Sequence, residues 1–88
     1  MSWFVYIIEG SDTNLYTGIT TDVKRRWHEH LNLKAGAKYF RGRKPKVLVF
    51  VEACENRSEA SKREAYIKKL PRVEKLRLIQ AQTSIPEL

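Results

Sequence analysis

The chain is short and strongly basic, and these two properties limit what it can be. Its 88 residues suit one domain, because a domain of this size buries only a little over about 60% of the surface that its unfolded chain exposes. We therefore expect one modest core and a shallow active site that suits a large substrate. The 17 Lys and Arg against 10 Asp and Glu give a net charge of +7, which favours a polyanionic partner over a small acidic ligand.

Cysteine content and the N-terminal segment exclude several classes of protein. With one cysteine, Cys54, the chain has no internal disulfide, and with two histidines it lacks the usual four Cys/His ligands of zinc. The apolar residues 3–8 are too few for a membrane span, and no basic segment precedes them as in a signal peptide. We therefore predict a cytoplasmic protein with no membrane segment.

The first half of the chain predicts a hairpin followed by a helix. Residues 3–9 and 15–20 are rich in aromatic and β-branched side chains and flank a polar turn, which is typical of two paired strands. Gly18, inside the second strand, indicates a bulge or a close approach of another group. Apolar spacing that begins at Val23, after a cap at residue 21 or 22, predicts a helix ending near Asn32.

The second half predicts a loop, a strand and two helices. Residues 33–46 have no clear period and predict a long loop, whereas the apolar run 47–52 predicts a buried strand. Asn56 is expected to cap a helix that ends near Leu70, before Pro71, and a shorter helix follows.

This element order, β-β-α-β-α-α, predicts an α+β fold with a small three-stranded antiparallel sheet flanked by helices. We assign residues 1–82 to one domain and residues 83–88 to a C-terminal tail that frays.

The predicted loop holds the densest positive charge of the chain. Residues 32–46 contain six cations and no acid, which is typical of a nucleic-acid-binding surface. Aromatic side chains in the same segment offer stacking surfaces for bases. The predicted binding residues are Lys34, Lys38, Tyr39, Arg41, Arg43 and Lys44.

Five polar side chains are candidates for chemistry. Tyr6 and Tyr16 lie on paired strands and can face the same side of the sheet. Arg26 and His30 are four residues apart and so share a helix face, and Glu64 lies within or beside the inward stripe of its helix. Each also has an ordinary interpretation: half-buried strand tyrosines, an interfacial arginine, a satisfied core histidine, and a glutamate paired with the lysine four residues later.

Together the five side chains suit phosphodiester cleavage. A single carboxylate is enough for Mg²⁺, which keeps several waters and takes further oxygens from a substrate phosphate. An arginine offers planar donors to a phosphoryl group.

Four segments of the chain resemble the GIY-YIG nuclease signature. They are Phe4-Val5-Tyr6, Tyr16-Thr17-Gly18, the helical segment with Arg26 and His30, and Arg63-Glu64-Ala65-Tyr66-Ile67-Lys68. Residues 36–45 are similar to the short stand-alone members of that superfamily. The resemblance extends from about residue 3 to about residue 79, and the four segments occur in the expected order.

The resemblance implies a role for each candidate. One of the two tyrosines, with a water, acts as general base or activates the nucleophilic water. Arg26 stabilises charge in the transition state, and His30 orients a group or relays a proton. Glu64 holds one divalent cation, Mg²⁺ or Mn²⁺, and Gly18 allows close approach of backbone and substrate.

The resemblance therefore implies a metal-dependent endonuclease of low sequence specificity that acts in DNA repair or processing, with DNA favoured over RNA. The sequence departs from the family pattern at Phe4, which stands in place of Gly, and in having no Asn after Asn56. The missing Asn motivates the alternative of a non-catalytic nucleic-acid-binding module. A third interpretation, a protein-interaction domain, leaves Glu64 and the ordered motifs unexplained.

Overall fold

A computed structural model describes residues 2–32 and 44–82 of the chain. Its elements are β1 (Trp3–Gly10), β2 (Leu15–Thr20), α1 (Val23–Asn32), β3 (Pro45–Cys54), α2 (Arg57–Lys69) and α3 (Arg72–Ala81). They form one three-stranded antiparallel sheet in the order β2-β1-β3, with three helices. The predicted α+β class and element order are confirmed.

Some of the sequence predictions concern residues outside the described ranges. This applies to the tail 83–88 and to most of the predicted binding residues, namely Lys34, Lys38, Tyr39, Arg41 and Arg43. In the described ranges, no helix combines the length and the apolar character that a membrane crossing requires.

The third strand is longer than its apolar run predicted. β3 begins at Pro45, which pairs with Gly10, and continues to Cys54. A proline is tolerated here because it opens an edge strand and needs to donate no ladder hydrogen bond. Residue Lys44 is bound to the hairpin turn, since Ser11 N–H donates to Lys44 O at 2.7 Å and Lys44 N–H donates to Ser11 Oγ at 3.1 Å.

The sheet has helices on both faces. Ile7 of β1 packs with Ile67 of α2 in one buried cluster, whereas Tyr6 packs with Val23 of α1 in a second cluster. Alternation along β1 explains this division, because successive side chains of a strand point to opposite faces. The α1 face therefore receives Tyr6, and the α2 face receives the apolar cluster of Ile7 and Ile67.

Strand register brings the two tyrosines and Gly18 to the α1 face. Tyr6 lies opposite Gly18, and Ile8 lies opposite Tyr16. A Cβ added at Gly18 would meet Tyr6 Oη at 2.6 Å and Tyr16 Cε2 at 3.2 Å. The β1–β2 register runs unbroken past this position, so close approach of the Tyr6 ring, and not a bulge, explains the glycine.

The second helix runs in the same direction as β1. At its start, the Arg57 guanidinium carbon lies 5.7 Å from the centre of the Trp3 ring. Just after its end, Arg72 Nη2 donates to Thr13 O in the hairpin turn at 2.9 Å. Asn56 caps the helix as predicted, because its side chain accepts from the Glu59 N–H at 2.9 Å. The direction of α2 therefore determines which residues of β1 and β2 lie beside each of its side chains.

Replacing Gly18 with Ala is expected to lower the free energy of unfolding by about 1–3 kcal/mol, because the new Cβ must displace a buried ring. Urea unfolding measures this change. The Tyr6→Phe background is the matched control: it removes the hydroxyl that lies closest to the new Cβ, so the penalty should shrink there. A Gly18→Ala protein as stable as the wild type would contradict the packing described.

Candidate active site

A hydrogen bond between β1 and α1 forms the centre of the site. Tyr6 Oη lies 3.0 Å from His30 Nε2, and the two side chains are 2% and 0% exposed. The half-buried Tyr16 completes the group, with its ring centre 6.2 Å from that of Tyr6 and 5.5 Å from that of His30. We call Tyr6, Tyr16 and His30 the tyrosine–histidine cluster. Side chains from three elements thus meet at one place on the α1 face.

Local sequence explains why α1 delivers His30 to the cluster. The Asp22 carboxylate accepts from the Arg25 N–H at 3.0 Å and so caps the helix start, which is one of the two predicted cap positions. Val23 and His30 are seven residues apart, lie on one helix face and are both buried. The apolar stripe that predicted the helix therefore also carries the histidine onto the sheet.

Arg26 lies at the rim of the cluster, with 26% of its side chain exposed. Its Nη1 donates to Glu29 Oε1 at 3.0 Å, whereas Arg25 Nε lies 3.9 Å from the same carboxylate. The contact between Arg26 and Glu29 was not predicted from the sequence. The sequence signal for this contact is the i, i+3 spacing of Arg26 and Glu29, which competes with the i, i+4 spacing of Arg25 and Glu29. Glu29 therefore holds the Arg26 guanidinium in place.

Burial keeps the central pair uncharged at neutral pH. Burial raises the pKa of Tyr6, and the nearby Tyr16 adds to the rise, while the hydrogen bond and charge of Arg26 oppose it. Burial also lowers the pKa of His30 to about 4, assisted by the positive charge of Arg26. At pH 7 a neutral phenol therefore faces a neutral imidazole, and the tautomer of His30 decides which group donates.

Arg26 keeps its charge in this setting. Burial acts against the guanidinium cation, but the hydrogen bonds to Glu29 and Tyr6 outweigh it and raise the pKa of Arg26. The site therefore presents one fixed positive charge beside a neutral hydrogen-bonded pair. This combination can bind an anion and move a proton.

Glu64 is not part of the cluster but lies on α2, on the other side of the sheet. Arg63 Nε donates to Glu52 Oε2 of β3 at 2.8 Å, so this flank of α2 faces β3. Because neighbouring helical residues are about 100° apart, Glu64 projects from the flank nearer β2. Its Oε2 lies 3.4 Å from Lys68 Nζ, so the pairing four residues later is present.

The donor set fits a cation held by one carboxylate and excludes a protein cage within the described ranges. No group of three or more His, Cys, Asp or Glu that could hold a metal occurs there. The Glu64 side chain is 23% exposed, and its partner Lys68 is 54% exposed. Ion pairs at the protein surface contribute about 0–1 kcal/mol, so an ion can displace the exposed lysine from this partly buried glutamate. Mg²⁺ fits because it takes its other ligands from water and phosphate.

Stability is expected to fall as the pH drops from about 6.5 to about 4, because the unfolded His30 takes up a proton that the folded His30 refuses. The loss by the lower pH is roughly 3 kcal/mol. Urea unfolding at pH 7 and pH 4.5 measures it, and the dependence should flatten in His30→Gln. A titration of the His30 ring by NMR gives an independent check. A His30 midpoint near its ordinary 6.5 would contradict the burial argument.

Comparisons with known proteins place this geometry in a family. The model of the GIY-YIG catalytic domain matches residues 2–77. The chain is 51% identical over 80 residues to UPF0213 protein DP2720 of Desulfotalea psychrophila, which covers 91% of this chain and 73% of that protein. It is 43% identical over 86 residues to UPF0213 protein YhbQ of Shigella dysenteriae, covering 98% and 85% respectively.

Two solved structures have the same fold. The solution NMR structure of UPF0213 protein BH0048 from Bacillus halodurans matches with a TM-score of 0.60 and 44% identity, covering 93% of this chain and 86% of that one. That of protein EF2693 from E. faecalis matches with a TM-score of 0.63 and 36% identity, covering 100% and 96%. The family match extends over both strands of the cluster, over α1 and α2, and over the first part of α3. The chain belongs to the GIY-YIG family, whose catalytic domain is typical of endonucleases.

Proposed function

We propose that the chain is a metal-dependent endonuclease that hydrolyses phosphodiester bonds in DNA with low sequence specificity. The observation that carries the proposal is the meeting of a charged arginine of α1 with a buried, neutral pair of Tyr6 from β1 and His30 from α1, beside Tyr16 of β2. A role in DNA repair or processing and a cytoplasmic location are parts of the same proposal, predicted from the sequence.

Arg26 binds the scissile phosphate in this proposal. Its guanidinium is partly exposed at the rim, carries a fixed charge, and is oriented by Glu29 at 3.0 Å. Planar guanidinium donors match two phosphoryl oxygens and stabilise the negative charge that grows on them in the transition state.

Tyr6 and His30 remove the proton from the attacking water. The water transfers a proton to Tyr6 Oη while the phenol transfers its own proton to His30 Nε2. Tyr6 therefore stays a neutral phenol, the water becomes hydroxide-like, and His30 holds the extra proton. The water oxygen forms the new bond to phosphorus, and the bond to the leaving 3′ oxygen breaks as that oxygen takes up a proton from solvent. A bound phosphate raises the pKa of the neighbouring His30 and so favours this transfer.

Tyr16 closes the cluster from the β2 side, where it lies between the buried pair and the sheet edge. Glu64 would hold the divalent cation from the other face of the sheet, on the flank of α2 nearer β2. When bound, such a cation polarises the phosphate and stabilises charge on the leaving oxygen. The phosphate would therefore lie at the edge of β2, within reach of both faces.

Low sequence specificity is supported by the kinds of side chains at this edge. An arginine and a metal-bound carboxylate recognise phosphate groups, which carry no base identity. Lys44, the predicted binding residue that the structure describes, is exposed beside the hairpin turn and can add a further phosphate contact.

Glu64→Gln and Arg26→Ala are each expected to slow cleavage more than about a hundredfold, the effect of losing about 3 kcal/mol of transition-state stabilisation. Nicking of supercoiled, branched and single-stranded DNA with Mg²⁺ or Mn²⁺ measures the rate. Glu59→Gln is the matched control, since Glu59 lies on the same helix and also pairs with a lysine, 3.7 Å away. Cleavage by Glu64→Gln at the wild-type rate would refute the assignment.

A non-catalytic nucleic-acid-binding module is the second candidate, supported by the net charge of +7 and by the absence of an Asn after Asn56. Metal chelation separates the two functions, because it should abolish cleavage and leave binding largely intact. If wild-type protein binds nucleic acid with a steep salt dependence but never cleaves it with either metal, the second candidate replaces the first.

A further inference from the structure

The hairpin turn between β1 and β2 gathers cations from distant parts of the chain. The Lys44 backbone is held there by two hydrogen bonds to Ser11, one to its N–H and one to its hydroxyl. Arg72, at the start of α3, donates from Nη2 to Thr13 O at 2.9 Å. Lys75, one turn further along α3, faces the same turn. Lys44, just before β3, and the two α3 residues Arg72 and Lys75 therefore lie at the same end of the sheet.

A cleft of about 290 Å³ lies between this turn and α3 and is lined by Asn14, Leu15, Arg72 and Lys75. Ligand sites commonly occupy about 300–1,000 Å³, so this one suits a small group. Arg72 uses one of its five N–H donors on Thr13, which leaves others for a ligand. The cleft is therefore cationic and large enough for a phosphate group.

Lys75 distinguishes this cleft from an ordinary charged surface. Its side chain is half-buried, and among residues 2–32 and 44–82 its ammonium group has neither an ion pair nor a hydrogen bond. Arg77 on the same helix is the contrast, because it is exposed and pairs with Glu74 at 3.1 Å. Burying a cation without a partner costs free energy, and an anionic ligand bound beside Lys75 would offset that cost.

The nearby carboxylate of Asp12 is engaged within the turn. It accepts from the Asn14 N–H at 3.2 Å and from Asn14 Nδ2 at 3.0 Å. Asp12 and Glu9, which lies opposite Leu15 in the strand register, supply two negative charges against the three cations Lys44, Arg72 and Lys75. The net charge of the turn and cleft therefore still favours an anion.

The cleft lies next to the candidate active site along β2. Leu15 lines it, and the following residue is Tyr16 of the tyrosine–histidine cluster. Leu15 packs on the α2 face and Tyr16 on the α1 face, so the two sites open on either side of the same edge strand. A nucleic-acid strand that passes round this edge would place one phosphate at each site.

We infer that the Arg72–Lys75 cleft binds a backbone phosphate of the nucleic-acid strand, next to the phosphate at the tyrosine–histidine cluster, and so positions the strand for cleavage. The positioning of the strand for cleavage rests on the proposed function, whereas the binding of a phosphate in the cleft does not. The ligand class is a phosphodiester of DNA or RNA, and recognition of its charge does not depend on base identity.

Fluorescence anisotropy with a labelled oligonucleotide in EDTA tests the cleft without cleavage. Lys75→Gln should weaken binding roughly eightfold at about 0.1 M salt and reduce the magnitude of the salt slope by about 0.9 on duplex, the contribution of one phosphate contact. Arg77→Gln removes the same charge from the same helix and should have a much smaller effect, and Lys75→Arg should keep most of the affinity. Equal losses in Lys75→Gln and Arg77→Gln would overturn the inference, because they would show a general charge effect.

Two further results keep the cleft and the nuclease proposal distinct. If the wild type never cleaves but Lys75→Gln still weakens binding selectively, the cleft stands and the nuclease proposal fails. NMR titration with inorganic phosphate separates the possible ligands: resonances of Asn14 and Leu15 should shift far more weakly than with an oligonucleotide. Saturation of these resonances by phosphate at oligonucleotide concentrations would overturn the assignment to a nucleic-acid strand.

Discussion

The hydrogen bond between Tyr6 and His30 is the contact on which the rest of the site depends. It joins β1 to α1 inside the protein, where an unpaired hydroxyl or imidazole would carry a desolvation penalty. To make it, the Tyr6 ring must lie across β2, and the strand can pass beneath only because Gly18 has no side chain. The same bond leaves Arg26 beside a pair that burial keeps neutral. The Tyr6–His30 hydrogen bond thus explains both the glycine at position 18 and the neutral pair beside Arg26.

The edge strand β2 lets a small chain carry a polar site without opening its core. The α2 face carries the apolar cluster in which Ile7 and Ile67 are fully buried, while the tyrosine–histidine cluster lies on the α1 face. The opposite edge is occupied at Val51, where the Gln82 side chain pairs with both backbone groups. Ligand access from two faces is therefore expected at β2, where the proposed phosphate and cation would be held from opposite sides.

Periodic patterns predicted the elements well, because strands and helices bury their apolar side chains at fixed spacing. The predicted start of β3 was wrong, because Pro45 was assigned to the loop. It belongs to the strand, since a proline can open an edge strand. Gly18 gave a local signal of close approach, but the identity of the approaching ring depended on register. The flank of α2 that carries Glu64 could not be predicted, because it follows from the tertiary contact between Arg63 and Glu52.

The central claim is that Glu64 and the tyrosine–histidine cluster serve one phosphate across β2. Paramagnetic broadening by Mn²⁺, measured by NMR with a non-cleavable oligonucleotide bound, tests it most directly. The amide resonances of Gly18 and Glu64 should broaden together at substoichiometric Mn²⁺, that of the exposed Gln80 should stay sharp, and Glu64→Gln should remove the effect. Broadening around Glu64 that leaves Gly18 sharp, or broadening that survives in Glu64→Gln, would contradict the account.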